Sequence, residues 1–387
     1  MSYQPKDLFG HLHNNGQPKR ILTLDGGGLR GILSVGILQK IEDILKQRHG
    51  GGTDFRLSHY FDLIAGTSTG AIIAAALAQG WSVEQVREKY MELGEKVFEK
   101  SFFRKGVLRA KYDDDKLIEE LKEVYGENTT LRSDQLQTGL MIMTKRLDTG
   151  SPWPIGNNPM NKYFTSRPGG TIGNGDYPLW QVVRASTAAP SYFDPQKITI
   201  AEMDGYKKVK GEFVDGGVSP HNNPAMQALM YATLDGYNIG WPTGADKLLL
   251  ISVGTGSANP NVDTSDIAAK NALKALASLM DDCAATQETL LQWLSSSPTA
   301  RVIDRELGDM RNDLLGGRPL LSYLRYNTEL GAEIVQQLIS EHVDPKQIAS
   351  LSEMDAPENM ELLHKIGTAM AERDVQESDF PTRFNLV

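Results

Sequence analysis

The chain has 387 residues, of which 40% are hydrophobic and 23% are charged, so it can bury a large core in one or two domains. Its formal net charge of -9 disfavours a nucleic-acid polymer or a permanently bound anionic membrane as the partner, because both would repel it. The single cysteine, Cys283, excludes an internal disulfide framework and a metal site built from several cysteines.

Signals for export or membrane insertion are absent from the pattern. The first residues, MSYQPKDLFGHLHNN, have neither the cationic start nor the apolar core of a signal peptide. The most apolar stretch, AIIAAALA at 71–78, is far shorter than the roughly 20 residues needed to cross a bilayer, so we expect a buried helix. Together with the lone cysteine, these features predict a cytoplasmic protein.

The first part of the chain twice repeats the order strand, glycine-rich turn, helix. KRILTL at 19–24 is followed by DGGG and then by a helical pattern that places Leu33, Ile37 and Ile41 on one face. YFDLIA, GTSTG and AIIAAALAQG repeat the same order at 60–80. Two such units in succession imply a parallel sheet with helices on its faces.

The later elements continue this α/β pattern. We predict helices at about 83–100 and 114–124, a strand in TGLMIMTKR, a long surface loop at 148–178 and a helix in LWQVVRAS. Strands follow in KITIA, GEFVDGG and the fully buried KLLLISVG, and the pattern beyond about 264 is mostly helical. Asp113, Asp114 and Asp115 indicate a helix N-terminus and not a metal site, because no His or Cys accompanies them.

Ser68 is the candidate nucleophile. It lies between Gly66 and Gly70 in GTSTG, and G-x-S-x-G between a strand and a helix is the nucleophile-elbow pattern. The two glycines remove Cβ atoms that would clash at a sharp turn. A serine hydroxyl also needs a base and an anion site, and without them the pattern fits a structural turn equally well.

DGGGLRG at 25–31 is the candidate anion site. Consecutive glycines that open a helix present free backbone N–H groups and the positive end of the helix dipole. The guest is an oxyanion or a phosphate, and the glycines also satisfy the dinucleotide pattern G-x-G-x-x-G. Against the dinucleotide, Glu42 and Asp43 near the expected distance fall inside the predicted helix, not at the end of a following strand.

Asp215, in VDGGVSPHNNP at 214–224, is the candidate base. An Asp-Gly pair alone is a turn signal, but Asp215 ends a predicted strand and accompanies the other two motifs. His221, six residues further on, competes for the role because a Ser-His-Asp arrangement would need a histidine. The residue pattern alone does not decide whether Asp215 or His221 is the base.

Together, the three motifs resemble the patatin-like phospholipase family, in which DGGGLRG, GTSTG and DGG occur in this order. RASTAAPSYF at 184–193 resembles the block between the last two, and the resemblance covers about residues 18–257. It implies a patatin-like α/β fold with a mostly parallel central sheet flanked by helices and a helical C-terminal extension. The implied organisation is a leader segment at 1–17, a catalytic domain at 18–257 and a mainly helical region at 258–387 packed on it.

The resemblance also implies a chemistry. The family uses a Ser-Asp dyad without histidine, which assigns Ser68 as nucleophile and Asp215 as base, with no metal or organic cofactor. An aspartate can act as base if a closed site desolvates it and raises its pKa. The implied reaction is hydrolysis of fatty-acyl esters of membrane phospholipids through an acyl-enzyme, with transient association with the membrane surface.

For the glycine loop, the resemblance implies an oxyanion guest. Backbone N–H groups among Gly26, Gly27 and Gly28 form the oxyanion hole, and Arg30 supports the loop. An alternative of a different class is a nucleotide-binding regulatory module that uses the loop for phosphate. Tight ATP or NAD binding without esterase activity distinguishes that module from the hydrolase, while a noncatalytic scaffold is disfavoured by the intact dyad.

Control and substrate class stay open at this point. Some bacterial members of similar size are antiphage effectors that stay idle until a cyclic dinucleotide binds, which makes such an activator an expectation to test. The 148–178 loop and the region after 264 are candidate regulatory parts, or else a lid and a packing layer.

A small-ester or lysophospholipid hydrolase is the alternative within enzymes, and a homo-oligomer is compatible with the sequence. LLSYLRYN at 320–327 resembles segments in bacterial members, and its purpose is left open.

Overall fold

The computed structural model of the chain describes residues 3–50, 52, 54–97, 114–203, 207–257 and 268–386, and the side chains of all of these except 268–277. The strands in these ranges are β1 (Lys19–Leu24), β2 (Leu63–Thr67), β3 (Gly139–Arg146), β4 (Pro152–Gly156), β5 (Gln196–Met203), β6 (Lys207–Asp215), β7 (Leu248–Val253), β8 (Ser295–Ser296) and β9 (Leu321–Tyr326). They form one sheet in the order β5-β6-β3-β2-β1-β7-β9-β8, with β4 paired to β3.

The centre of the sheet is parallel. β1 pairs in parallel with β2 on one side and with β7 on the other, and the parallel pairing continues from β2 to β3 and from β7 to β9. β6 and β5 extend the sheet beyond β3 through antiparallel pairs. These pairs confirm the mostly parallel sheet that the repeated order of strand, turn and helix predicted. That order is informative because parallel strands need a crossover connection, usually a helix, between them.

Helices cover both faces of the sheet. They are α1 (Leu8–Leu12), α2 (Gly31–Arg48), α3 (Leu57–Tyr60), α4 (Thr69–Ala78), α5 (Val83–Val97), α6 (Asp114–Tyr125), α7 (Leu179–Ser186), α8 (Ala225–Thr233), α9 (Ala268–Leu294), α10 (Ala332–Leu338), α11 (Pro345–Ser350) and α12 (Met360–Asp374). Across the ranges given above, none combines the length and the apolarity needed to span a bilayer.

Side chains of each central strand alternate between two hydrophobic clusters, one on each face of the sheet. Leu22 and Leu249 belong to the cluster that includes α2 and α4, whereas Ile21 and Leu250 belong to the cluster that includes α8. This alternation follows from the two-residue period of a strand. It explains why KLLLISVG is apolar at nearly every position, because both of its faces are buried.

Two predicted elements differ in extent. The strand predicted from YFDLIA begins only at Leu63, because Tyr60 ends α3 and the two residues between them connect the helix to the strand. The predicted 148–178 loop contains β4, which forms an antiparallel hairpin with β3. Proline cannot donate to a β-ladder and is confined within sheets to edge strands, strand starts and bulges. Among the described strands β4 pairs only with β3, so Pro152 and Pro154 are tolerated there.

The C-terminal part of the chain enters the sheet. β9 lies between β7 and β8, so LLSYLRYN is a sheet strand within a region whose pattern is mostly helical. The predicted leader also contacts the core, since the Trp241 indole donates to the Leu12 carbonyl. The division at residue 257 stays a prediction, and the adjoining residues 258–267 lie outside the described ranges, as do 98–100 of the predicted helix and Asp113.

Candidate active site

Ser68 occupies a strained turn between β2 and α4. Its backbone has φ 55° and ψ −124°, a left-handed region that non-glycine residues enter only where the surrounding structure holds them. A Cβ on Gly66 would overlap the Gly70 carbonyl, and a Cβ on Gly70 would overlap the Leu24 carbonyl. The two glycines therefore let the start of α4 approach β1 and β2, which is the close packing that an elbow requires.

The structure brings Ser68 and Asp215 together. The Ser68 hydroxyl Oγ donates to Asp215 Oδ2 at 2.6 Å, and Asp215 Oδ1 accepts the Gly217 N–H at 2.7 Å. Burial raises the pKa of Asp215 to about 6, while the hydrogen bonds from Ser68 and Gly217 and the charge of Arg184 oppose this rise. At neutral pH the carboxylate is therefore ionised but is a far better proton acceptor than a solvated one.

Ser186 holds the elbow from the α7 side. Its hydroxyl accepts the Ser68 backbone N–H at 2.8 Å and donates to the Met143 carbonyl at 2.6 Å. Two residues earlier on α7, the buried Arg184 donates to Asp114 Oδ1 at 2.7 Å. Both residues belong to RASTAAPSYF, to which the sequence analysis gave no catalytic role. Their position in this family-like block is the only sequence signal that indicates their importance.

The glycine loop has two unused backbone donors. Gly26 N–H donates to the Asn222 carbonyl at 3.1 Å and is therefore occupied. Within the described parts of the chain, the N–H groups of Gly27 and Gly28 make no hydrogen bond. Gly28 has φ 60°, which favours glycine at this position.

The carbonyls of the loop are anchored, and this orients the free donors. The Gly26 carbonyl accepts from Thr255 Oγ1 at 3.1 Å and from Asn222 Nδ2 at 3.2 Å. The Gly27 carbonyl accepts from Arg30 Nε at 3.4 Å. In a trans peptide the N–H points opposite to the carbonyl, so the two free N–H groups point away from these anchors. Both glycines line the same cavity as Ser68.

That cavity has a volume of about 290 Å³ and opens beside the dyad. It is near the small end of ligand pockets, which are typically about 300–1,000 Å³. Apart from the dyad and the glycine loop, its walls are largely apolar and fit a hydrocarbon chain. The main apolar contributors are Leu29, Ile72, Leu93, Leu117, Phe193 and Val218.

His221 does not join the dyad. Among the described residues, no hydrogen bond links its imidazole to Ser68 or Asp215, and its Nδ1 is buried without a partner. Burial lowers the pKa of His221, so the ring is neutral. Its backbone carbonyl accepts from Thr67 Oγ1 at 2.7 Å, which gives this residue a structural contact with the elbow.

Glu42 is engaged elsewhere and does not face a ligand of the glycine loop. Its carboxylate lies on α2 and accepts the Val83 N–H at 3.2 Å, at the start of α5. Burial raises the pKa of Glu42 to about 7, and the Val83 N–H opposes this rise. The carboxylate that a dinucleotide-binding loop uses for ribose is therefore not provided by this residue.

Comparison with known proteins gives a family match and several relatives. The family model described as Patatin, patatin-like phospholipase, matches residues 22–229. A cGAMP-activated phospholipase from Vibrio cholerae is 29% identical over 273 residues, which cover 68% of this chain and 70% of that protein. A cGAMP-activated phospholipase from Escherichia coli is 32% identical over 215 residues, covering 54% and 55% respectively. Patatin-17 from Solanum cardiophyllum is 28% identical over 256 residues, covering 63% and 62%. The matches thus span less than two thirds of the last two relatives.

Proposed function

The chain belongs to the patatin-like phospholipase family, and on this premise we propose that it hydrolyses fatty-acyl esters of membrane phospholipids with Ser68 as nucleophile and Asp215 as base. The observation that carries the proposal is the 2.6 Å hydrogen bond from Ser68 Oγ to Asp215 Oδ2 beside an apolar cavity. It supplies the nucleophile, a base within reach of its proton and space for an acyl chain.

The reaction has two halves. Ser68 Oγ attacks the ester carbonyl carbon while its proton passes to Asp215, and the resulting oxyanion accepts hydrogen bonds from the N–H groups of Gly27 and Gly28. Collapse of this intermediate breaks the ester C–O bond, and the proton on Asp215 passes to the departing lysophospholipid oxygen. Asp215 then accepts a proton from water as the water attacks the acyl-enzyme. The bond between the acyl carbon and Ser68 Oγ breaks, the proton on Asp215 passes to Oγ, and the fatty acid leaves.

We expect kcat/KM to rise with pH through about 6, because burial raises the pKa of Asp215 to about 6 and only its ionised form accepts the Ser68 proton. Below that pH, activity falls by about tenfold per pH unit as the carboxylate becomes protonated. Initial rates on a dispersed short-chain ester from about pH 4.5 to about pH 8 measure this profile. Thermal unfolding at each pH is the control, and a flat profile in folded protein contradicts the assignment of Asp215 as base.

Lipid mass spectrometry tests the proposed substrate class. Vesicles of phosphatidylethanolamine and phosphatidylglycerol incubated with the protein should yield free fatty acid and lysophospholipid in equal amounts. Hydrolysis of dispersed short-chain esters or lysophospholipids alone, with intact vesicles left uncut, favours the small-ester alternative. Tight ATP or NAD binding that is lost on Gly28 substitution, without hydrolysis of any ester, favours the nucleotide-binding module.

A cyclic dinucleotide activator is part of the proposal. Two relatives are named as cGAMP-activated phospholipases, and the C-terminal region of this chain reaches the site. Residues 352–355 line the cavity, and the N–H of Leu29, in the glycine loop just before α2, donates to the Met354 carbonyl at 2.8 Å. A change in the C-terminal region can therefore alter the cavity and the glycine loop directly. Among the described residues that line the cavity, none belongs to the 148–178 segment.

Basal hydrolysis is expected to be low and to rise at least about tenfold with the right cyclic dinucleotide, which corresponds to a coupling free energy of about 1.4 kcal/mol. The physical reason is that an activator stabilises the conformation whose cavity and donors fit the ester. Vesicle hydrolysis across a panel of cyclic dinucleotides and trinucleotides that includes cGAMP measures the effect. High activity that no member of the panel changes removes the gating proposal and leaves the hydrolase proposal in place.

The proposed surroundings follow from the substrate. Phospholipid acyl esters lie in a bilayer, so the proposal includes transient association of a cytoplasmic protein with a membrane surface. Its net charge of -9 makes lasting electrostatic attachment to anionic lipid unfavourable. A homo-oligomer stays a prediction.

A further inference from the structure

Arg325, in the LLSYLRYN strand, reaches the residue that immediately precedes the glycine loop. On β9, its guanidinium donates from Nη1 to Asp25 Oδ1 at 3.0 Å and from Nη2 to Asp25 Oδ2 at 2.6 Å. Because β7 separates β9 from β1, the side chain crosses β7 on its way, where Nη1 also donates to Ser252 Oγ at 2.8 Å. A residue far along the chain is thus bonded to the first residue of DGGGLRG.

The Arg325–Asp25 pair fixes an orientation as well as a distance. Both side chains are only 6% exposed, and the two parallel bonds form the planar fork that a guanidinium makes with a carboxylate. Asp25 is also held through its backbone, since its N–H donates to the Val253 carbonyl at 3.0 Å. A buried ion pair is weak evidence for stability as such, so its position next to the glycine loop is the informative feature.

A second connection runs from the same strand end to the same loop. Just after β9, Asn327 Oδ1 accepts the Gly256 N–H at 2.9 Å in the turn after β7. The neighbouring Thr255 donates through Oγ1 to the Gly26 carbonyl at 3.1 Å. A Cβ on Gly27 would overlap the Thr255 side chain, so the turn after β7 lies in close contact with the loop. The end of β9 therefore braces the glycine loop from two directions.

We propose that Arg325 is a positioning residue for the oxyanion donors, which it holds in place through Asp25. This inference rests on the proposed function, in which the N–H groups of Gly27 and Gly28 bind the oxyanion. Such donors act because they are preorganised, so a small displacement of their peptide planes lowers the rate of the chemical step more than it lowers substrate binding.

Arg325→Gln tests the proposal on a dispersed short-chain ester. We expect kcat to fall by about tenfold to a hundredfold while KM changes by less than about threefold, because the lost interaction matters mainly in the transition state. Labelling of Ser68 by a fluorophosphonate should slow by a similar factor, since the phosphonyl oxygen uses the same donors. Wild-type kcat and labelling rate in folded Arg325→Gln overturn the proposal.

Arg20→Gln is the matched control. Arg20 lies near the opposite end of β1 from Asp25 and makes its own fork with Asp62, in which Nε to Oδ2 is 2.9 Å and the side chains are 3% and 0% exposed. This variant should unfold at a lower temperature yet keep the wild-type kcat of the folded protein. An equal loss of kcat in Arg20→Gln and Arg325→Gln indicates general destabilisation and overturns the proposal.

Arg325→Lys covers the case in which the glutamine variant does not fold. Lysine keeps the positive charge beside Asp25 but cannot form the planar fork, so we expect a folded protein whose kcat falls by about threefold or more at unchanged KM. Wild-type kcat in this variant overturns the proposal.

Amide hydrogen exchange separates failure of this inference from failure of the proposed function. In Arg325→Lys, the peptide that covers residues 25–31 should exchange faster than in the wild type, whereas in Arg20→Gln it should exchange at the wild-type rate. Absence of ester turnover and labelling in the wild type rejects the proposed function. Hydrogen exchange of residues 25–31 can still be compared, because it does not depend on activity. Equal exchange in Arg325→Lys and wild type rejects the positioning role.

Discussion

Ser68→Ala is expected to abolish phospholipid hydrolysis while the protein stays folded. The substitution removes the atom that forms the acyl-enzyme, and loss of such a nucleophile costs from about a thousandfold to about a millionfold in kcat. The fold loses one hydrogen bond, from Ser68 Oγ to Asp215, which is worth about 1–2 kcal/mol, and the bond from Gly217 to Asp215 remains. Thermal unfolding should therefore shift by only a few degrees.

Fluorophosphonate labelling and vesicle hydrolysis followed by lipid mass spectrometry measure this prediction. Ser58→Ala is the matched control, because Ser58 likewise donates through its hydroxyl to a side chain, that of Gln137 at 2.9 Å, but lies buried outside the site. That variant should keep wild-type labelling and turnover. If Ser68→Ala keeps them as well, the elbow is a structural turn and another nucleophile has to be sought.

Asp215→Asn is expected to be nearly as damaging, whereas His221→Ala should keep most of the activity. An amide of the same shape cannot take the Ser68 proton, so we expect kcat to fall by about a thousandfold to ten-thousandfold. The His221 imidazole has no hydrogen bond to Ser68 or Asp215 in the described part of the structure, so its removal leaves proton transfer unchanged. The expected losses of kcat on substitution of the two candidate bases, Asp215 and His221, thus differ by orders of magnitude.

The comparison needs kcat and unfolding temperature for both variants. Asp215→Asn removes a buried negative charge and keeps an acceptor oxygen for Gly217, so this variant should unfold near the wild-type temperature. A thousandfold loss in His221→Ala with normal unfolding would support a Ser-His-Asp triad instead. Retention of wild-type kcat in Asp215→Asn would remove Asp215 from the mechanism.

The α/β architecture could be predicted because its main signals are local. The repeated strand, glycine turn and helix order at 19–80 and the continuous apolar run at 247–254 follow from residue periods and burial on two faces. β4 was missed because Pro and Gly dominate its segment, and those residues usually indicate a loop. β9 was missed because a strand within a helical region is decided by its partners β7 and β8, which lie elsewhere in the chain.

The sequence by itself determined the family, the type of reaction and the candidate nucleophile, because these depend on residue types at short fixed spacings. Only the tertiary structure decided which groups can act together. Ser68 and Asp215 are 147 residues apart, and their hydrogen bond exists because β2 and β6 flank β3 and end beside its consecutive residues Met143 and Thr144. The same holds for the glycine loop. Distant segments supply the carbonyls of Asn222 and Met354 to the N–H groups of Gly26 and Leu29, and among the described residues no acceptor reaches the two N–H groups between them. A hydrogen bond acts over about 3 Å, so its partners are set by packing and not by distance along the chain.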